Sequence, residues 1–323
     1  MSNKEIPIFF SIDDGYIPCL GVAIKSIQEN ASDNYHYHIY VLYTQMSEEN
    51  INNIKTEFAK DNFTIDFYDI QKNVEDKAET LSVRLRDYYS NTIYYRLFIQ
   101  NEFPQYEKAL YIDSDVVVVD DIANLYNMEL GDHLLGVVRD GVVEYGPKIL
   151  GEYVENFVCV PAEKYFNSGV LVMNLKEMRK AQIEERFLYL IDKYNIDTVA
   201  PDQDYLNVLC QGRTLMLPES WDKMPDFCGG YPDIKELHLI HFNMFRKPWH
   251  YDDVAYQEAF WKYAKQTSYY DKLQEELKNY PQAKKEADFK GAEGMNTYCS
   301  AIMTNKINFK TIYEDANAKF GEI

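Results

Sequence analysis

The run from Lys108 to Val119, Lys-Ala-Leu-Tyr-Ile-Asp-Ser-Asp-Val-Val-Val-Val, constrains the fold more than any other stretch of the chain. Two apolar segments, each short and rich enough in strand-forming residues to be a buried strand, flank three residues of which two are acids. In extended backbone, residues i and i+2 point the same way, so Asp113 and Asp115 face one point in space. Two ionised carboxylates side by side are unfavourable unless a cation lies between them. Oxygen ligands of this kind suit Mg²⁺ or Mn²⁺. Taken alone, the same residues also fit a turn in which an aspartate caps backbone amides.

The surrounding pattern alternates strand-like and helix-like segments, which predicts an α/β protein with a mostly parallel sheet flanked by helices. Strands are expected over Ile6–Ile12, Tyr37–Leu42, Phe63–Tyr68, Lys108–Ile112, Val116–Val119, Leu134–Val138, Gly169–Asn174 and Leu237–Phe242. Helices are expected over Tyr16–Glu29, from a Ser47 cap to Phe58–Lys60, over Thr92–Phe98, and over Asp202–Cys210 with Gly212 as the stop. From about Tyr263 the pattern changes to helical spacing between charges, is broken at Pro281, and resumes around Ile302–Phe320. This divides the chain into an α/β domain, 1–265, and a helical tail, 266–323. In sheets of this class ligands bind beyond the carboxyl ends of strands, near the switch in strand order.

The formal net charge of -19 argues against a nucleic-acid protein and against a broad basic face for anionic lipid. A diphosphate ligand would need a cation or local basic residues. The 28 tyrosines suit either core packing or the lining of a wet sugar cleft. Five scattered cysteines show neither zinc spacing nor a disulfide framework, and no apolar run has the length of a signal peptide or membrane span. A cytoplasmic location is expected. The tail mixes Lys284, Lys285, Lys290 and Lys306 with Glu286, Asp288, Glu293 and Glu314, which points to packing or homo-oligomer formation rather than peripheral membrane binding.

An ordered set of segments carries a resemblance. It comprises Phe10–Tyr16, Tyr95-Arg96-Leu97, Leu110–Asp115, Tyr165–Leu171, Asp202-Gln203-Asp204 and His241–Trp249. Over residues 6 to 250 the chain resembles the retaining family 8 glycosyltransferases, the group of bacterial lipopolysaccharide galactosyltransferases and glycogenin. The resemblance implies a Rossmann-like nucleotide-diphospho-sugar transferase domain and a UDP-glucose or UDP-galactose donor. It places Asp13 and Tyr16 on the uracil, Arg96, Asp113 and Lys247 on the nucleotide diphosphate, and Asp113 again, with Asp115 and His241, on the metal; residues 1–265 become the catalytic domain. Manganese is favoured over magnesium because a histidine ligand suits a softer ion. Asp140, Asn167, Asp202 and Gln203 become the sugar-side residues, with Gln203 near the anomeric carbon. Two departures stand out: Gly15 and Met244 occupy positions where family members often carry Asn and Gly. Read singly, Asp202 after Pro201 is a helix cap, Asn167 is a turn residue, and His241 is a packed histidine.

The expected chemistry is transfer of a hexose to an acceptor hydroxyl on a cell-surface or lipopolysaccharide-type glycan. An amide is a poor nucleophile, so same-face attack is favoured, with Asp202 as the alternative nucleophile. Competing readings are a protein O-glycosyltransferase, a UDP-sugar hydrolase, a metal-dependent nucleotidyltransferase and a non-catalytic binding protein. The nucleotidyltransferase reading lacks its Gly-rich phosphate loop, since the first strand ends in Asp13-Asp14. Acceptor choice is expected to rest on Leu81–Ser90 and Gly141–Val160.

Overall fold

The computed structural model describes residues 4–70, 91–194, 196–225 and 236–323. Seven strands form one sheet in the order β3-β2-β1-β4-β7-β6-β8. They are β1 (Lys4–Ser11), β2 (Tyr35–Tyr43), β3 (Phe63–Asp69), β4 (Ala109–Ile112), β6 (Leu135–Arg139), β7 (Phe166–Met173) and β8 (Thr214–Met216). β1, β2, β3 and β4 pair in parallel, β7 runs antiparallel to both β4 and β6, and β8 is parallel to β6. β5 (Val116–Val118) and β9 (Leu239–His241) form a separate antiparallel pair.

The central strands are buried on both faces, as parallel strands covered by helices must be. β7 is buried at all eight positions and β4 at all four. The helix Ile17–Asn30 packs on one face through Ile17, Leu20, Ala23, Ile24 and Ile27. On the other face a second cluster joins Phe9, Tyr111 and Leu171 to Phe187, Leu206 and the C-terminal Phe309 and Ile312. Ser47 caps the helix Glu48–Glu57 by accepting from the Asn50 amide at 3.2 Å, as its sequence predicts.

The helix Asp202–Cys210 is found as Pro201–Leu209, capped by Cys210; Gly212, at φ +79°, follows in the turn beyond it. The helices Leu175–Lys180 and Ile183–Tyr194 were not anticipated, although Ile183, Phe187, Leu190 and Ile191 do recur at helical spacing. The tail also differs from expectation. It consists of Tyr270–Asn279, Gln282–Ile302 and Phe309–Phe320, so the stretch expected around Ile302–Phe320 starts seven residues later, behind an Asn308 cap. The helix Gln282–Ile302 buries only Cys299 and Ile302, so it carries little apolar periodicity. Among the described residues, no helix is long and apolar enough to cross a membrane.

Candidate active site

Strand pairing decides which side chains meet. β1 and β4 are neighbours at the point where the strand order reverses, and their carboxyl ends lead to Asp13 and Asp113. β7 enters antiparallel, so its first residues lie beside the last of β4; the Asp113 amide donates to the Gly169 carbonyl at 2.8 Å. β6 runs back along β7 and delivers Asp140, whose amide donates to the Tyr165 carbonyl at 3.0 Å. β5 follows Asp115 and pairs Val116 with His241. The helix Pro201–Leu209 is pinned to β7 by the Asn207 amide, which bonds both the N–H and the carbonyl of Phe166. Its first turn therefore presents Asp202 and Gln203. Every residue assigned to uracil, diphosphate, metal or sugar in the sequence analysis lines one cavity of about 710 Å³.

On one bank of this cavity, ligand atoms of Asp113, Asp115 and His241 all lie within 4.8 Å of one another. His241 Nε2 is 3.3 Å from Asp115 Oδ1 and 3.8 Å from Asp113 Oδ2. Its Nδ1 lies 2.8 Å from Asp222 Oδ1, which orients the ring so that Nε2 faces the two aspartates. Gly169 keeps the space open: a Cβ there would lie 2.4 Å from His241 Cε1 and 2.6 Å from Asp113 Oδ2. Two carboxylates, an oriented imidazole and a glycine-walled gap fit a divalent cation.

The charges around this cluster are strongly coupled. Lys247 Nζ lies 2.5 Å from Asp115 Oδ2 and donates to the Phe242 carbonyl at 2.6 Å. Burial works against the Asp115 carboxylate, but Lys247 and His241 hold it well below the ordinary range. Burial likewise works against the His241 imidazolium, yet Asp115 and Asp222 push it up to about 10. A divalent ion would take over that positive charge, since a ligating imidazole must be neutral. Arg96 is buried over the Tyr111 ring and joins the banks: its Nη2 is 3.1 Å from Asp113 Oδ1 and its Nε 3.2 Å from Asp202 Oδ2. Its Nη1 donates to the Ser168 carbonyl at 2.5 Å. All three guanidinium nitrogens thus have protein partners.

The other bank is a hydrogen-bonded network. Asp140 Oδ1 accepts from the amides of Val142 and Val143, while its Oδ2 accepts from Asn167 Nδ2 at 3.2 Å and Gln203 Nε2 at 2.9 Å. Gln203 Oε1 accepts from the Ser168 amide at 2.9 Å, and Asp202 Oδ2 accepts from the Ser168 hydroxyl at 2.9 Å. Behind them Asp204 accepts from the hydroxyls of Tyr153 and Tyr165 at 2.7 and 2.6 Å. Asp13 caps a single turn at Asp14–Tyr16, and the Tyr16 ring, 40% exposed, stands at the cavity edge.

Several single-residue readings are corrected by these contacts. Asp202 is not a helix cap, because Ala200 occupies that position and Asp202 already lies inside the helix. Asn167 is not in a turn but is the second residue of β7. Met244 stands at φ +59°, so the loop keeps a left-handed residue there without glycine's freedom. Three participants carried no sequence signal of their own. Asp222 reaches His241 because a bridge pairs Lys223 with Ile240. Ser168 and Tyr111 lie inside quoted segments but act through partners far along the chain, Asp202 and Arg96. The segment Leu81–Ser90 lies outside the described residues.

The sequence profile of glycosyl transferase family 8 matches residues 7–253. A Haemophilus influenzae protein named for glycosyl transfer is 27% identical over 231 residues, covering 69% of this chain and 64% of that protein. The lipopolysaccharide 1,2-glucosyltransferase of Escherichia coli K12 is 27% identical over 294 residues, covering 81% of this chain and 80% of the relative. The solved structure of the galactosyltransferase LgtC with donor and acceptor sugar analogues superposes with a TM-score of 0.67 at 26% identity, covering 81% of this chain and 96% of that one. With the profile spanning the sheet and both banks of the cavity, the chain belongs to glycosyl transferase family 8.

Proposed function

We propose that this glycosyltransferase moves glucose or galactose from its UDP-sugar, with retention, to a hydroxyl of a cell-surface or lipopolysaccharide-type glycan in the cytoplasm. Residues 1–265 would form the catalytic unit and 266–323 a helical appendage. One observation carries the reading: the Asp113–Asp115–His241 cluster, able to hold a cation, and the hydrogen-bonded network around Asp140 and Gln203 line a single cavity. Resemblance to a glucosyltransferase and a galactosyltransferase supports the hexose.

Asp113, Asp115 and His241 would hold Mn²⁺, with Mg²⁺ the alternative. When bound, the ion supplies Lewis acidity to a diphosphate leaving group. Asp13 accepts the uracil N–H, and the exposed Tyr16 ring stacks on the base for about 1–3 kcal/mol. Lys247 and Arg96 add fixed positive charge where the β-phosphate becomes more negative. Arg96 also holds Asp113 and Asp202 in place. Asp140, Asn167 and Asp202 bind hexose hydroxyls. Gln203, tied at both ends of its amide, positions the anomeric carbon and offers no nucleophile. Retention then follows from attack on the face that UDP leaves, with a departing phosphate oxygen taking the acceptor proton. Asp202 is the alternative nucleophile, but its carboxylate is committed to Arg96 and Ser168.

A panel of UDP-sugars, assayed for UDP release with manganese, magnesium and chelator, tests donor and ion together. Release from UDP-glucose or UDP-galactose that depends on manganese is expected. Metal-independent release, or release from neither sugar, defeats the proposal. A β-linked product from the α-linked donor would remove retention from it.

A further inference from the structure

We infer that the helix Gln282–Ile302 forms the acceptor wall of the active site, with a hexoside acceptor lying against its glycine-bearing face. This rests on the hexosyl transfer proposed above. The family profile ends at residue 253, but the cavity does not: Tyr280, Asp288, Gly291, Gly294, Met295 and Tyr298 also line it. Positions 288, 291, 294, 295 and 298 recur at helical spacing, so one face of the helix is turned to the cavity.

The helix is held at both ends. Near its start, Asp288 Oδ2 accepts from the hydroxyls of Tyr251 and Tyr280 at 2.9 and 2.8 Å, and His250 stacks on Tyr280 with ring centroids 3.8 Å apart. Near its end, Cys299 and Ile302 are buried in the core. Tyr251 and His250 belong to the loop that follows Lys247, so the anchor starts at the donor bank. Between the anchors the helix runs past Lys148–Tyr153.

A glycine in a helix interior costs about 1 kcal/mol relative to alanine. At Gly294 a Cβ would meet nothing within 4 Å, so protein packing does not explain its absence. A flat helix face is what an incoming ligand requires. The apolar side chains of Val142, Val143, Leu150 and Val154 line the same cavity, Leu150 from the helix Lys148–Tyr153 that packs beside the glycine-bearing helix. An apolar lining accommodates the C–H face of a pyranose ring, with a few polar groups fixing its orientation. Asn243, 7% exposed, also lines the cavity, and its buried Oδ1 has no hydrogen-bond partner among the described residues. With Asp13 and Tyr16 assigned to the nucleotide in the reading above, the helix-lined part of the cavity is left to the acceptor.

The test uses the full chain with its preferred UDP-sugar and manganese. UDP release is measured without acceptor, then with octyl β-glucoside or octyl β-galactoside as the probe. The wild type is expected to release UDP slowly alone and faster with one of the probes. Gly294→Trp should raise the probe's half-saturation at least about tenfold while leaving the probe-free rate within about twofold. Glu293→Trp, next to it on the helix but off the cavity face, should change neither. Equal loss of both rates in Gly294→Trp, retained stimulation, or no stimulation of the wild type by either probe overturns the inference. Absence of probe-free release from every UDP-sugar defeats instead the functional reading beneath it.

Discussion

The two banks of the cavity solve the burial of polar groups in different ways. On the Asp113–Asp115–His241 bank, charge is met by charge: Lys247 on Asp115, Arg96 on Asp113, Asp222 on His241. On the Asp140–Asn167–Gln203 bank, most oxygens meet an N–H or O–H, and among the described residues Arg96 is the one cation within salt-bridge distance, at Asp202. An ionic bank can exchange partners when a cation or phosphate arrives, because Coulomb attraction is tolerant of geometry. A hydrogen-bonded network is directional, so it presents fixed positions to a sugar. Ligand-driven charge balance and preorganised orientation are therefore divided between the two banks.

Asp113→Ala or Asp115→Ala strikes the ionic bank hardest. Transfer should fall by at least about a thousandfold, several kcal/mol of leaving-group stabilisation being lost. Manganese-dependent binding of UDP should weaken in calorimetry; unchanged affinity in both variants would remove them from the ion. Gln203→Ala strikes the other bank and should reveal the contrast. A fall in kcat of about a hundredfold is expected with UDP affinity unchanged, and a parallel loss of UDP affinity would show that the banks are not separable. Asp222→Asn should lower manganese affinity by about 10–100-fold by loosening His241, measured by titration of the ion. An unchanged affinity would reduce Asp222 to a packing role.

A different effect concerns stability and leaves the chemistry aside. Burial pushes the Asp204 carboxyl up to about 6 from the model-peptide value of 3.8. Folding thus favours the neutral acid, so its contribution is full below pH 3.8 and is lost as pH rises through about 6. Denaturant unfolding of the wild type and of Asp204→Asn across that window should diverge by up to about 3 kcal/mol, the wild type losing stability with rising pH. Parallel curves would mean that the hydroxyls of Tyr153 and Tyr165 cancel the burial cost.

The sequence made the sheet legible because β1, β4 and β7 carry unbroken apolar runs between polar turns. It made the ionic bank legible because Asp113, Asp115, His241 and Lys247 fall in short segments whose order is specific. The helix Gln282–Ile302 escaped detection as one element, since a mostly exposed helix with glycines lacks the apolar stripe that periodicity detects. Its neighbour Phe309–Phe320 buries Phe309, Ile312 and Ala316 and was anticipated, though with a late start.

Local sequence by itself determined the strands, the acids at their ends and the chemical types available to a site, because those depend on residues a few positions apart. Tertiary structure alone decided that Asp222 would turn the imidazole of His241, that Arg96 would tie Asp113 to Asp202, and that Gly169 would leave the gap between ligands. Each of those contacts joins elements remote along the chain, and only strand register brings them within hydrogen-bond or van der Waals reach.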